Sequence, residues 1–355
     1  RWGTAVSGGN RVVLDEIANP SSRGVLFRMA PLVLVGTLMT HLFGGSAGRE
    51  GTAVQMGGGF AGWLGKLFCG ASGETRKQLL ICGIAAGFSG VFGTPLAATL
   101  FAQEVLKGQR PAISTALSCF AVAVISDRTC LAWGTKHSEY RIADSVSLSD
   151  LLSPGFLGSL IVSSVLFGLA ARLYVVLAHA IQKFSGRMIF SSILRPFVGG
   201  CVIILLVMVT ENRDMLGLGV VSSDPASVTI ATSFSPGGAE TWSWFWKIVF
   251  TAVTIGTGFR GGEVTPLFFI GATLGNALSE RLPVPVDLLA AMGFVGVFAG
   301  ATKTPLACTI MALELFGGRY AAVFLLCCIV ANRSSGRQSV YGTERHPGVR
   351  DVSKD

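Results

Sequence analysis

GIAAGFSGVFGTPLAATLFAQEVLKG, residues 83–108, returns 210 residues later as GFVGVFAGATKTPLACTIMALELFGG, residues 293–318. Eleven positions match without a gap, among them the shared TPLA and the later glutamates Glu104 and Glu314. Convergent packing of small residues does not readily produce a shared TPLA followed by a shared glutamate, so we interpret the match as an internal repeat. Two related halves with hydrophobic segments that glycine and proline interrupt in corresponding places indicate a binding site near the middle of the membrane.

A weaker match lies upstream of each copy and extends the repeat. The triplet at residues 50–52 precedes the first copy, and the triplet at residues 263–265 precedes the second. Thr52 lies 42 residues before Thr94, and Thr265 lies 39 residues before Thr304. We therefore predict one domain over residues 1–355, with a first repeat at about 1–185 and a second at about 186–355.

The composition indicates an all-α integral membrane protein. Half of the residues are hydrophobic, only 14% are charged, and the mean hydropathy is +0.60, whereas soluble domains carry about 25% charged residues. Apolar runs at 26–43, 159–178 and 196–210 could each cross much of a bilayer. The 46 glycines favour close helix packing and interrupted helices, so we predict tilted and broken helices.

The net charge of +8 fits a lipid surface better than a nucleic acid. The basic residues lie mainly between apolar segments, where they can contact anionic headgroups of the lipid bilayer and orient the chain. The eight cysteines and four histidines show no metal-ligand spacing, so no metal site and no cofactor is expected.

The first candidate site is the segment GGSAGREGT at residues 44–52. Its glycines leave backbone N–H groups accessible at a helix start, which attracts anions. Glu50 then has two interpretations: a gate whose carboxylate competes with the anion until it is protonated, or a residue that only satisfies the helix dipole. We favour the gate because ionisable residues at membrane depth are costly and usually functional.

The second candidate site is the segment GFRGGEVTP at residues 258–266. Glycines followed by an early proline predict another helix that begins inside the membrane. The amides of Glu263 and Val264 could point into the same cavity as Glu50, and Phe268 and Phe269 could line the pathway. Residues 256–261 also read GxGxxG, but without a βαβ unit this is not a dinucleotide site.

These segments resemble the signatures of the CLC anion channel and transporter family over residues 10–341, nearly the whole chain. GSAGREGT is similar to the family's GREGP, GFRGGEVTP to its GxFxP, and the tyrosine of SVYGTERHP lies where the family has its central anion-coordinating tyrosine. The resemblance implies a CLC fold of two inverted-topology repeats, a homodimer with one pathway per subunit, and Glu50 as gate and proton-transfer residue. The anion-binding residues that we predict with it are Asn10, Gly48, Arg49, Gly51, Glu263, Val264, Thr265 and Tyr341. Two of them have an alternative: Arg49 as a residue that extends to the membrane interface, and Tyr341 as an interfacial tyrosine in a C-terminal loop.

Differences from the motifs of the family's chloride members indicate to which branch of the family this sequence is most similar. Residues 7–11 read SGGNR instead of GSGIP, which leaves open whether Asn10 or Arg11 faces the anion. Thr52, a candidate pathway residue, replaces a proline, and Val105 stands where chloride/proton exchangers often carry an internal glutamate. The sequence GGEVTP, residues 261–266, is similar to the corresponding segment of the fluoride-exporting branch. We therefore predict a fluoride/proton antiporter that exports fluoride, with a chloride or other halide channel, or a chloride/proton exchanger, as the alternative.

Three further expectations concern the setting of the protein. It should be a multi-pass protein of a bacterial inner membrane, and because the chain begins at Arg1, one or more N-terminal helices of the family should be missing. An enzyme is not expected. Ser46 is the nearest candidate nucleophile, and no histidine is convincingly placed to serve as its base.

Overall fold

The computed structural model describes residues 8–20, 24–68, 73–106, 113–143, 146–222 and 224–343. Nearly all regular structure in this part is helical, and the strands Gln338–Ser339 (β1) and Gly342–Thr343 (β2) form one short antiparallel hairpin. The helices are α1 (Asn10–Ala18), α2 (Met29–Leu42), α3 (Glu50–Phe68), α4 (Gly73–Phe92), α5 (Pro95–Glu104), α6 (Ile113–Ala132), α7 (Leu148–Leu151), α8 (Pro154–Met188), α9 (Leu194–Thr210), α10 (Ser243–Gly256), α11 (Val264–Ser279), α12 (Val286–Thr302), α13 (Pro305–Phe316) and α14 (Ala321–Ser334). The predicted all-α architecture is confirmed.

The helices differ in length as a broken-helix protein requires. In the described part, α6 and α8 are long and apolar enough to cross a bilayer, and six other apolar helices have only 10–17 residues. The helix α12 is buried along most of its length, whereas α9 exposes Phe197, Ile204 and Met208. An exposed apolar surface of this kind is typical of a helix in contact with lipid.

Each TPLA segment begins a new helix after a sharp break in the backbone. Gly93 and Lys303 precede these segments with φ angles of 68° and 67°, and Pro95 and Pro305 take the first helical positions. Proline is favoured there because the first N–H of a helix needs no intrahelical partner. Glycine adopts a positive φ freely and lysine does not, so the repeated feature is the break itself and not the residue that makes it.

Glycine pairs bring helices of each half into backbone contact. A Cβ atom at Gly57 of α3 would meet the carbonyl of Gly83 of α4, and one at Gly271 of α11 would meet the carbonyl of Gly293 of α12. Gly83 and Gly293 are equivalent positions of the repeat. The high glycine content therefore allows the same close helix packing in both halves.

The two repeats are joined by a reciprocal pair of helix caps. The carboxylate of Glu314 accepts the N–H groups of Leu96 at 2.9 Å and Ala97 at 2.8 Å, at the start of α5. The carboxylate of Glu104 accepts those of Leu306 at 3.1 Å and Ala307 at 2.8 Å, at the start of α13. Each glutamate thus satisfies free amides of the other repeat and places its negative charge at a positive helix end.

We expect Glu104→Gln and Glu314→Gln each to lower stability by about 1 kcal/mol, because a glutamine offers one acceptor oxygen instead of two and carries no charge. Thermal unfolding in detergent measures the loss, with the exposed Glu280 replaced by glutamine as the control. If neither variant lowered the unfolding temperature more than Glu280→Gln does, the two carboxylates would not stabilise the helix starts that they cap.

Candidate functional site

The two glycine-rich segments meet at the starts of α3 and α11. Gly48 and Gly262 form an isolated antiparallel bridge in which each N–H donates to the carbonyl of the other residue at 2.6 Å. A Cβ atom at Gly262 would lie 2.7 Å from the nitrogen of Gly51 and 3.0 Å from that of Glu50. Because Gly48, Gly51 and Gly262 have no side chains, the N-termini of α3 and α11, which belong to different halves, can lie in backbone contact.

The carboxylate of Glu50 lies at the N-terminus of α11 and not in solvent. Glu50 is 3% exposed, accepts the N–H of Thr265 at 3.3 Å, and also accepts a hydrogen bond from the Thr265 hydroxyl. Glu263 is the N-cap of α11 and Val264 its first residue, so Thr265 is the second, where an N-cap oxygen normally binds. Glu50 therefore acts as a capping carboxylate that another helix supplies.

Two cavities approach this contact, and their linings share no residue. The Glu50 cavity, of about 70 Å³, has a lining that includes Arg49, Glu50, Lys136, His137, Tyr140, Thr265 and Phe268. The Tyr341 cavity, of about 280 Å³, has a lining that includes Asn10, Arg11, Thr52, His179, Arg195, Arg260, Gly262, Glu263 and Tyr341. Close neighbours along the chain, such as Glu50 and Thr52, line different cavities. The contact between Glu50 and Thr265 thus lies where the two cavities approach each other.

Basic side chains outnumber acidic ones around both cavities. Arg49 and Lys136 accompany Glu50 in the smaller lining, and Arg11, Arg195 and Arg260 accompany Glu263 in the larger one. A cleft lined by positive charge raises the local concentration of anions. The electrostatics therefore suit a path for a small anion on both sides of Glu50.

Asn10 and Arg11, which the sequence could not separate, have different surroundings in the Tyr341 cavity. Arg11 donates its Nε hydrogen to the carbonyl of Tyr341 at 2.7 Å. The amide of Asn10 lies beside Gly51 at the start of α3, and its Oδ1 has no hydrogen-bond partner among the described residues. Asn10 is thus the one that faces the helix N-terminus, while Arg11 anchors the backbone at Tyr341.

Of the three residues predicted for the anion site in the second glycine-rich segment, Glu263, Val264 and Thr265, it is Thr265 whose amide reaches Glu50. The side chain of Glu263 turns toward the Tyr341 cavity and accepts the hydroxyl hydrogen of Tyr174 at 2.8 Å. Because Glu263 is the N-cap of α11, its side chain and the amide of Thr265 lie on different sides of the helix start.

The candidate lining residues divide between the pathway and the core. Phe268 lines the Glu50 cavity and stacks on Phe294 with ring centroids 3.8 Å apart. Phe269 lines neither cavity, because the helical turn directs its fully buried ring toward the ammonium group of Lys247, 4.9 Å away. Thr52 lines the Tyr341 cavity with its hydroxyl 2.6 Å from that of Thr37.

Several lining residues carry no sequence motif. Tyr140 and His137 follow α6 and reach the Glu50 cavity only through the path of their loop. The imidazole of His137 lies 3.1 Å from the carbonyl of Val91 and 3.4 Å from Asp127. Tyr174 lines neither cavity, but its fully buried side chain reaches Glu263 from an apolar stretch in the middle of α8. Their roles depend on tertiary contacts, for which the sequence offers no local signal.

Known proteins are similar to this chain in sequence and in structure. A family model for the voltage gated chloride channel matches residues 1–336. A chloride/fluoride channel protein of Pseudomonas syringae pv. tomato is 43% identical over 97% of this chain and 74% of its own length. The H(+)/Cl(−) exchange transporter ClcA of Yersinia pestis is 26% identical over 87% of this chain, which spans 65% of that protein.

A solved structure agrees with these sequence matches. The crystal structure of a CLC-type fluoride/proton antiporter superposes with a TM-score of 0.87 at 32% identity, covering 96% of this chain and 83% of that chain. A slow cyanobacterial Cl−/H+ antiporter, with a TM-score of 0.79 and 19% identity, has the same fold. The chain therefore belongs to the voltage-gated chloride channel (CLC) family of membrane channels and transporters and has its all-α fold of two inverted repeats.

Proposed function

We propose that this protein exports fluoride from the cytoplasm in exchange for protons and that Glu50 both carries the proton and competes with the anion. The name of the Pseudomonas syringae relative includes fluoride, and the solved antiporter exchanges fluoride for protons. Both are at least 30% identical to this chain over nearly all of its length. The Yersinia pestis relative exchanges chloride for protons, which keeps a chloride exchanger as the alternative.

The observation that carries this proposal is the contact between Glu50 and Thr265. A helix N-terminus binds anions through free N–H groups and a partial positive charge. At α11 the N–H and hydroxyl of Thr265 already hold a carboxylate, which comes from α3. A fluoride ion needs the same donors, so the anion and the ionised Glu50 compete for one place.

Protonation of Glu50 converts this competition into exchange. A neutral carboxylic acid is a weaker acceptor than a carboxylate and gains less from the helix dipole. The protonated side chain therefore leaves the donors of Thr265, and a fluoride ion from the Tyr341 cavity takes its place. When Glu50 loses its proton on the opposite side, the carboxylate returns and displaces the anion toward the Glu50 cavity.

The remaining candidate residues would hold the anion next to this central contact. Asn10 and Tyr341 line the approach from the larger cavity, and Gly48, Arg49 and Gly51 surround the base of Glu50. Glu263 and Val264 begin the helix that supplies Thr265. We propose that fluoride passes from the polar groups of Asn10 and Tyr341 to the donors of Thr265.

Proton coupling provides the driving force for export. Hydrogen fluoride crosses membranes as a neutral acid and dissociates in a near-neutral cytoplasm, which traps fluoride inside. Each charge that crosses 100 mV is worth about 2.3 kcal/mol, so inward proton movement coupled to outward anion movement can drive fluoride out.

The setting that we propose follows from the relatives. The relatives from Pseudomonas syringae and Yersinia pestis are bacterial proteins. We therefore assign this protein to the bacterial inner membrane as a multi-pass protein in contact with lipid. We further propose a homodimer with one pathway in each subunit. Each subunit would hold one domain over residues 1–355, with repeats at about 1–185 and 186–355.

Reconstituted vesicles test the function directly. Vesicles that contain the protein are loaded with fluoride, and a fluoride electrode and a pH electrode record fluoride efflux and external pH together. We expect efflux to draw protons into the vesicles against their gradient, and chloride-loaded vesicles to show much slower exchange. Fluoride efflux without proton uptake would indicate a passive channel, and faster chloride exchange would indicate the chloride alternative.

A further inference from the structure

Helix α10 carries a buried polar face although no candidate site residue lies on it. Lys247, Thr251 and Thr254 are spaced four and three residues apart, which places them on one face of the helix. All three side chains are fully buried. Polar groups inside a membrane protein are costly unless they are paired. The hydrogen-bond partners of these three side chains therefore indicate what this face of α10 does.

Two of these residues hold the segment that leads into the gate. The N–H of Ser46 donates to the hydroxyl of Thr254 at 3.1 Å, and the hydroxyl of Ser46 pairs with that of Thr251 at 2.9 Å. Ser46 lies four residues before Glu50, in a stretch between α2 and α3 with no helix of its own. The position of this stretch therefore depends on α10, and Ser46 serves there as an anchor.

The third residue, Lys247, binds the loop that forms part of the lining of the Glu50 cavity. The ammonium group of Lys247 donates to the carbonyls of Met215 at 2.9 Å and Gly217 at 3.0 Å. The N–H of Gly217 in turn donates to the carbonyl of Gly45 at 3.2 Å, one residue before Ser46. The same loop continues to Val220, which lines the Glu50 cavity. One helix face thus fixes both the wall of the cavity and the approach to the gate.

We infer that the polar face of α10 positions Glu50. Thr251 and Thr254 determine how closely the carboxylate of Glu50 approaches Thr265 and thereby closes the passage between the two cavities. This inference rests on the proposed exchange at Glu50. The two threonines are positioning residues, because they contact Ser46 and not the anion. A fully paired buried network rigidifies the segment that it holds. Without it, Glu50 closes less tightly, and fluoride passes without an accompanying proton.

The test is the number of protons moved per fluoride in vesicles that contain the full chain. The double variant Thr251→Val/Thr254→Val keeps the side-chain shapes and removes both hydroxyls. We expect its proton-to-fluoride ratio to fall at least about threefold, the change that the loss of one ordinary hydrogen bond produces. Fluoride flux itself should be maintained or rise. Thr254→Ser keeps the hydroxyl and should keep the wild-type ratio.

A matched control comes from α11. Thr273 is fully buried, and its hydroxyl donates at 2.7 Å to the carbonyl of Phe269 in its own helix. Thr273→Val should therefore leave the ratio unchanged. A wild-type ratio in a folded double variant would overturn the inference. If the double variant does not reconstitute, Ser46→Ala, which removes only the hydroxyl contact, decides by the same ratio. A wild type that moves no protons would instead overturn the proposed function.

Discussion

Replacing Glu50 with glutamine is expected to abolish the proton movement that a fluoride gradient drives. The amide of glutamine can still accept the N–H of Thr265, but it cannot take up and release a proton. It also lacks the charge that favours a carboxylate at the N-terminus of α11. In vesicles, fluoride-driven proton uptake by Glu50→Gln should fall at least about tenfold, because a positioned proton-transfer group typically contributes more than that factor.

The control for this variant is Glu139→Gln. Glu139 lies in the loop after α6 with 81% of its side chain exposed, beside Arg141 at 3.5 Å. Surface ion pairs of this kind contribute little to stability, so its proton-to-fluoride ratio should match the wild type. Fluoride flux should be recorded in parallel, because it separates an uncoupled protein from an inactive one. Unchanged proton uptake by Glu50→Gln would exclude Glu50 as the proton carrier.

The meeting of the two glycine-rich segments could be predicted from the sequence, but the contact inside it could not. Glycines around Glu50 and before Thr265 indicated two helix starts within the membrane, and the repeat indicated that they belong to facing halves. Which amide reaches Glu50 depends on where α11 begins. Because Glu263 serves as the N-cap, the amide at the favoured capping position is that of Thr265. The motif indicates that a helix begins in this segment but does not give the residue at which it begins.

The glutamates of the repeat illustrate a second limit. Their equivalence was visible in the sequence, but the groups that each carboxylate binds were not. In the structure Glu104 and Glu314 each cap the other repeat's helix, because α5 and α13 lie against each other. The polar face of α10 is a similar case. A sequence displays the spacing of Lys247, Thr251 and Thr254, but their partners are about thirty or two hundred residues away.

Gly262→Ala is expected to reduce transport at least about tenfold, a loss that corresponds to about 1.4 kcal/mol. The new Cβ would lie 2.7 Å from the nitrogen of Gly51, 3.0 Å from that of Glu50 and 3.2 Å from a carboxylate oxygen of Glu50. Two of these atoms belong to the backbone of α3, which cannot move alone. The bridge to Gly48 must therefore open, and Glu50 moves away from Thr265. Fluoride efflux from vesicles measures the effect.

This variant tests only the close approach of Gly262 to α3, and not the conformational freedom of glycine. The backbone at Gly262 has no positive φ angle, so alanine meets no conformational strain there and the only obstacle is the neighbouring helix. Gly158 of α8 is the matched control, because a Cβ added there meets no atom within 4 Å, and alanine in a helix is favoured over glycine by about 1 kcal/mol. Gly158→Ala should keep full transport. If Gly262→Ala folded and transported as the wild type does, the two helix starts would not need to touch, and competition between Glu50 and fluoride for the donors of Thr265 would lose its structural basis.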